Sequence, residues 1–142
     1  IPGNHESTAT IDFLSERYDN AKNIHGYGIK SKEGRVGFFG AGTANMGIHA
    51  IPDEEIFEML EKSHGQIKDA KKKVMVTHIH PEGSKSEMFG GFPGSSAVRR
   101  ALEKFKPDFL VNAHIHEAGG IEEKIAETTV FNVSKKAKIF KV

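Results

Sequence analysis

Cysteine is absent from the 142-residue chain, which excludes disulfide frameworks, thiolate zinc sites and cysteine nucleophiles. Tryptophan is absent as well. Aromatic residues make up 8% of a chain that is 37% hydrophobic and 27% charged, a composition suited to a modest core and a folded body rather than to disorder. Neither sign of charge dominates: 20 Lys plus Arg face 19 Asp plus Glu, for a formal net charge of +1. That removes the broad cationic field expected of a nucleic-acid or membrane binder, so any anionic substrate has to be attracted locally. Long hydrophobic runs are missing too. Stretches of about four to six apolar residues fall far short of the roughly 18 needed to span a bilayer, and the amino end has no basic-then-apolar signal pattern. With no cysteine, these features suit a reducing compartment and give a cytoplasmic expectation.

No repeat, low-complexity tract or Pro/Ser linker divides the chain, so residues 1–142 are read as a single unit. The opening Ile1-Pro2-Gly3-Asn4-His5-Glu6 carries no initiator methionine and reads like the middle of a longer protein. Ser7 and Thr8 can cap a helix whose apolar face is Ile11, Phe13, Leu14 and Tyr18. Residues 24–29 and 36–39 read as strands flanking a polar turn, and together as a hairpin. Pro52 and Asp53 open a helix with Ile56, Met59 and Leu60 at helical spacing, and a further helical stretch is expected up to Lys73. Lys71, Lys72 and Lys73 then sit where a helix dipole ends.

Val74-Met75-Val76-Thr77 is the short continuous apolar run of a buried strand, and it ends in His78-Ile79-His80. A glycine-rich loop over 83–94 delivers Ser95 or Ser96 as the cap of a helix closed by Pro107. Phe109-Leu110-Val111 is another strand, running into His114-Ile115-His116, and the tail from Ile121 to Val142 alternates as two or three antiparallel strands would. Strands with helices between them define an α/β chain.

Two strands thus end in His-x-His, and five of the eight histidines fall in three short segments. Residues i and i+2 of an extended chain project to the same side, and parallel strands in an α/β sheet end along one edge, where binding crevices form. His78, His80, His114 and His116 can therefore converge with Asn4 and His5 around a cation. Either pair alone reads most simply as surface histidines; the three segments together favour a site of imidazole and amide oxygen, suited to zinc, manganese, iron or nickel. Gly40-Ala41-Gly42 reads as turn geometry rather than a dinucleotide loop, since Asn45 fills the third glycine position. The aromatics of 88–94 read first as packing on the body, and otherwise as stacking on a base or packing against an ester's organic group.

Gly3-Asn4-His5-Glu6, Thr77-His78-Ile79-His80-Pro81 and Ala113-His114-Ile115-His116-Glu117 resemble, in order and spacing, the last three signature motifs of the calcineurin-like metallophosphoesterases. The resemblance implies an α/β fold in which this chain is the carboxyl-terminal portion of a metallophosphoesterase-type β-sandwich flanked by helices. It implies two divalent metal ions (manganese, iron, zinc or nickel), with Asn4, His78 and His114 holding one and His116 the other. His5 would be the catalytic proton donor near the leaving group, and His80 would stand behind the ligands. The implied activity is phosphodiesterase or phosphatase hydrolysis of a phosphate ester.

The family's first two motifs, Asp-x-His and Gly-Asp-x-x-Asp, have no counterpart in the chain. They would supply an aspartate and a histidine to one metal and the carboxylate bridging both. Two cations roughly 3.5–4 Å apart repel without such a carboxylate, so an incomplete site is expected here. A bared apolar sheet face is expected with it, covered by a missing amino-terminal segment or by self-association. The alternative is a non-catalytic module that binds a metal or a partner.

Overall fold

The computed structural model describes residues 1–142. Ser7 caps α1 (Thr8–Arg17) by accepting from the Thr10 N–H. β1 (Gly28–Lys30) and β2 (Val36–Ala41) pair antiparallel across a polar turn. α2 (Asp53–Gly65) begins after Pro52 with Asp53, Glu54 and Glu55 in its first turn, where carboxylates complement the helix dipole. β3 (Lys72–Thr77) follows, then the short α3 (Lys85–Gly90) and α4 (Ser96–Phe105), whose cap Ser95 accepts from the Val98 N–H. β4 (Phe109–Asn112), a single 3₁₀ turn at His116–Ala118, β5 (Glu122–Ile125) and β6 (Thr128–Asn132) complete the chain.

The strands form one six-stranded sheet in the order β1-β2-β3-β4-β6-β5. Its four inner strands run parallel, and both edge strands are antiparallel to their neighbours. The register lines up Phe39, Met75, Leu110 and Val130 directly across the inner strands. All four are buried, in one cluster with Ile56 and Leu60 of α2 and Val98, Ala101 and Leu102 of α4. Each large member contributes about 1.5–3 kcal/mol by leaving water, so this face and its two helices anchor the fold. The result is a mixed α/β architecture of one sheet flanked by helices.

The opposite face is also apolar but less covered: Phe38, Val76, Phe109 and Val111 are half-buried. The carboxyl-terminal tail shields one end of it, with the Phe140 ring 4.9 Å from Phe109 and 4.8 Å from Phe131.

Four local expectations differ from what is observed. The apolar stripe of α1 is not buried; Phe13, Leu14 and Tyr18 are exposed. The helical stretch toward Lys73 is replaced by turns, and Lys72 and Lys73 begin β3, with Lys72 paired to Asp108 at 2.7 Å. The glycine-rich loop contains α3, capped by Ser84 and closed by Gly91 in the left-handed region at φ 68°. In the tail, β5 and β6 pair, and residues 138–142 form no strand.

Candidate metal centre

Because β3 and β4 are parallel neighbours, their carboxyl ends lie side by side, and the chain leaves each one with a histidine. The Ala113 N–H donates to the His78 carbonyl at 3.0 Å, tying the two departures together. His114 has φ 69°, a left-handed conformation rare outside glycine that costs on the order of 1–3 kcal/mol and persists only when its surroundings enforce it.

Packing of Pro2 brings the amino-terminal segment to the same edge. The Pro2 carbonyl accepts from the Thr43 N–H at 2.8 Å, and Pro2 lies flush on Gly42, where any Cβ would overlap it. Gly3 is equally constrained, since a Cβ there would sit 2.5 Å from Glu6 Oε2 and 3.3 Å from the His78 ring. The Gly3 N–H donates to that Glu6 oxygen at 2.9 Å, closing a small turn that presents Asn4 and His5.

Three polar atoms meet here. His78 Nε2 lies 2.9 Å from Asn4 Oδ1 and 3.2 Å from His114 Nδ1. Two donors each ~2.1 Å from a shared cation, at angles near 90–110°, are about 3.0–3.4 Å apart, so these spacings fit two edges of one coordination polyhedron. An imidazole nitrogen carries at most one proton, and that proton satisfies only one of the two contacts fully; a cation would satisfy all three lone pairs. The donor set is two imidazoles and an amide oxygen. No group of three His, Asp or Glu side chains able to hold a metal is formed.

Around this trio is a cleft of about 560 Å³ whose lining includes His5, His116, Glu6 and Glu117. His5 and His116 are exposed in it, whereas His80 is 0% exposed and stacks on the His114 ring with centroids 5.9 Å apart. His80 Nε2 donates to the Phe92 carbonyl at 3.2 Å, and its Nδ1 has no partner. The structure therefore brings Asn4, His78 and His114 into contact, puts His5 and His116 on the rim, and sets His80 behind them.

Burial, reinforced by the facing His114 ring, pushes the His78 imidazole down to about 4; nearby Glu6 opposes this, and His5 and His116 add to it. His114 is lowered by burial and then by His80, His116 and His5. Both rings are accordingly neutral at pH 7 and offer lone pairs, the form in which histidine binds a metal.

The sequence model of the calcineurin-like phosphoesterases matches residues 1–118, spanning all three histidine segments. The chain belongs to that family. The family generally holds two divalent metals and hydrolyses phosphate esters, consistent with a donor cluster at the carboxyl edge of a parallel sheet. Among solved structures the fold is similar to that of TT1561 of Thermus thermophilus, with a TM-score of 0.60 at 16% identity over 89% of this chain. The chain spans 57% of the length of that protein. No curated protein matches it.

Two lining residues, Met46 and Gly47, carry no signal in the sequence. They follow β2 in a loop outside the three histidine segments, and only the fold returns that loop to the site. Their one local cue is the glycine-bearing run after Phe39, which reads as a turn.

Proposed function

We propose that this phosphoesterase-family chain contributes the imidazole-rich side of a two-metal site that hydrolyses a phosphate mono- or diester, with manganese a suitable metal. The observation that carries the reading is the run of contacts from Asn4 Oδ1 to His78 Nε2 at 2.9 Å and on to His114 Nδ1 at 3.2 Å. Asn4, His78 and His114 would hold one cation and His116 the other. When bound, the cations supply water acidified toward neutral pH and offset negative charge on the phosphoryl oxygens. Asn4 adds no negative charge to repel a phosphate. His80 holds the His114 ring by stacking on it. His5, exposed at the cleft, is placed to give a proton to the ester oxygen as the phosphorus–oxygen bond breaks and water's oxygen bonds to phosphorus. Its imidazole then recovers a proton from solvent.

The trio lacks a carboxylate, and the sheet face away from α2 and α4 is apolar and half-covered. A companion segment packed on that face would supply bridging carboxylates, and a second copy of the chain would cover the face without supplying them. Manganese-stimulated hydrolysis of a chromogenic phosphodiester, assayed with bound metal, tests the reading in the wild type, His78→Ala and His5→Ala. Loss of activity in both variants, with metal lost only in His78→Ala, is the expected result. With the companion segment present, an inert wild type that retains a single metal identifies a non-catalytic binding module instead.

A further inference from the structure

Apolar side chains are among those that line the cleft. Phe92 and Met46 line it beside His114 and Ile115, and Phe92 is 56% exposed. An exposed phenylalanine on a loose loop would mean little, but this one is held. Ahead of it, Gly91 closes α3 by donating to the Glu87 carbonyl at 2.9 Å. The Phe92 carbonyl accepts from His80, and behind it Gly94 donates to Glu87 Oε2 at 3.2 Å while lying against the Pro81 backbone too tightly for a Cβ. Ser95 then donates to the His80 carbonyl at 2.9 Å and through its hydroxyl to Asp53 at 2.6 Å. The fold thus pins the backbone that carries a large apolar ring at a polar cleft, while much of that residue stays in water. Phe109, Phe131 and Phe140 pack on one another, whereas Phe13 and Phe89, also exposed, lie outside the cleft lining.

A ring borne in the same cleft as three lone-pair donors suits a ligand with two ends, one anionic and one flat and apolar. We infer that Phe92, which shares the cleft lining with Met46, is a specificity-determining platform that selects phosphate esters whose organic group is a planar aromatic, a nucleobase or an aryl ring. The inference rests on the proposed metal site for the phosphate end and on Phe92 alone for the other. Base–aromatic stacking is sequence-tolerant because every base presents a π-face, and the methionine thioether packs readily against such a ring. An aliphatic ester gains no comparable contact.

The test uses the full chain, with manganese binding measured first by calorimetry. Dissociation constants for adenosine 5′-monophosphate, phenyl phosphate, ribose 5-phosphate and inorganic phosphate are then compared in the wild type, Phe92→Ala and Phe92→Tyr. The wild type should bind the first two about tenfold more tightly than the last two, Phe92→Ala should lose the difference, and Phe92→Tyr should keep it. Preference for the nucleotide over phenyl phosphate identifies a base as the natural group, and the reverse identifies an aryl ester. Equal binding of all four, or a preference that survives in Phe92→Ala, overturns the inference and leaves the metal site standing. If no manganese binds, the metal reading fails by itself. The platform is then tested with adenosine alone by saturation transfer, where no transfer to the base in the wild type, or equal transfer in Phe92→Ala, overturns it.

Discussion

Acid should unfold the metal-free chain earlier than its carboxylates alone would require, and His78 should be a large part of the reason. Its ring titrates near 4 in the folded chain against an ordinary 6.5, principally because it is buried. Between those values the unfolded chain binds more protons, so stability rises with pH: the contribution is complete above about 6.5 and disappears as pH falls toward 4. At ~1.4 kcal/mol per unit the full displacement caps the effect at roughly 3 kcal/mol; allowing for solvent at a half-buried ring, about 1 kcal/mol should be lost between about pH 7 and pH 5. His80, His114, His25 and His64 are lowered in the same direction, each chiefly by burial, and steepen the slope. Urea unfolding followed by circular dichroism across that range, with and without manganese, measures this. Removing the ring in His78→Ala should flatten the slope, and manganese should raise the stability of the wild type at pH 7 but not of the variant. A wild type equally stable at both pH values, or a variant with an unchanged slope, would refute the reasoning.

Gly3→Ala tests whether close approach positions Asn4. The new Cβ would meet Glu6 Oε2 at 2.5 Å and the His78 ring at 3.3 Å, so Glu6 must swing away and give up its bond to the Gly3 N–H. Manganese affinity should fall about tenfold, as it does on disturbing groups that orient a ligand, with fold stability lowered by about 1 kcal/mol, by calorimetry and urea titration. Asp53→Ala removes the acceptor of the Ser95 hydroxyl at 2.6 Å, the Ser96 hydroxyl at 2.7 Å and the Ser96 N–H at 3.1 Å, which fasten the start of α4 to that of α2. It should lower the free energy of unfolding by about 2–3 kcal/mol, and a loss under 1 kcal/mol would show that water replaces the carboxylate there.

The sheet edge bearing the histidines was legible in the sequence because two local features coincide. Val74–Thr77 and Phe109–Val111 have the continuous apolarity of strands covered on both sides, and His-x-His follows the first at once and the second after Asn112 and Ala113. Their parallel pairing brings two such endings to one edge; the choice of Asn4, His78 and His114 among the donors there follows from the family resemblance and not from the spacing. His80 shows the limit of the alternation argument. The backbone turns as it leaves β3, so His80 goes behind His114 rather than beside His78. The α1 stripe fails for another reason: periodicity shows which side chains are able to share a face, and no element of the chain lies over Phe13 and Leu14. In α3 the glycines drew the reading toward a loop, although Gly91 supplies a helix terminus and Ser84 a cap. Tail residues 138–142 have strand composition but pair with no strand, and Phe140 settles against Phe109 and Phe131 instead.

The two rims of the sheet determine how molecules of this protein can meet. β1 is three residues long and ends in Lys30; β5 is four residues long and carries Glu122, Glu123 and Lys124. Short, charged borders make poor templates for a further strand, so lengthening the sheet sideways into fibrils is disfavoured. Were two copies to meet, the half-buried apolar side around Val76 and Val111 would be the surface that joins them, and face-to-face contact there would give a closed pair rather than open-ended growth.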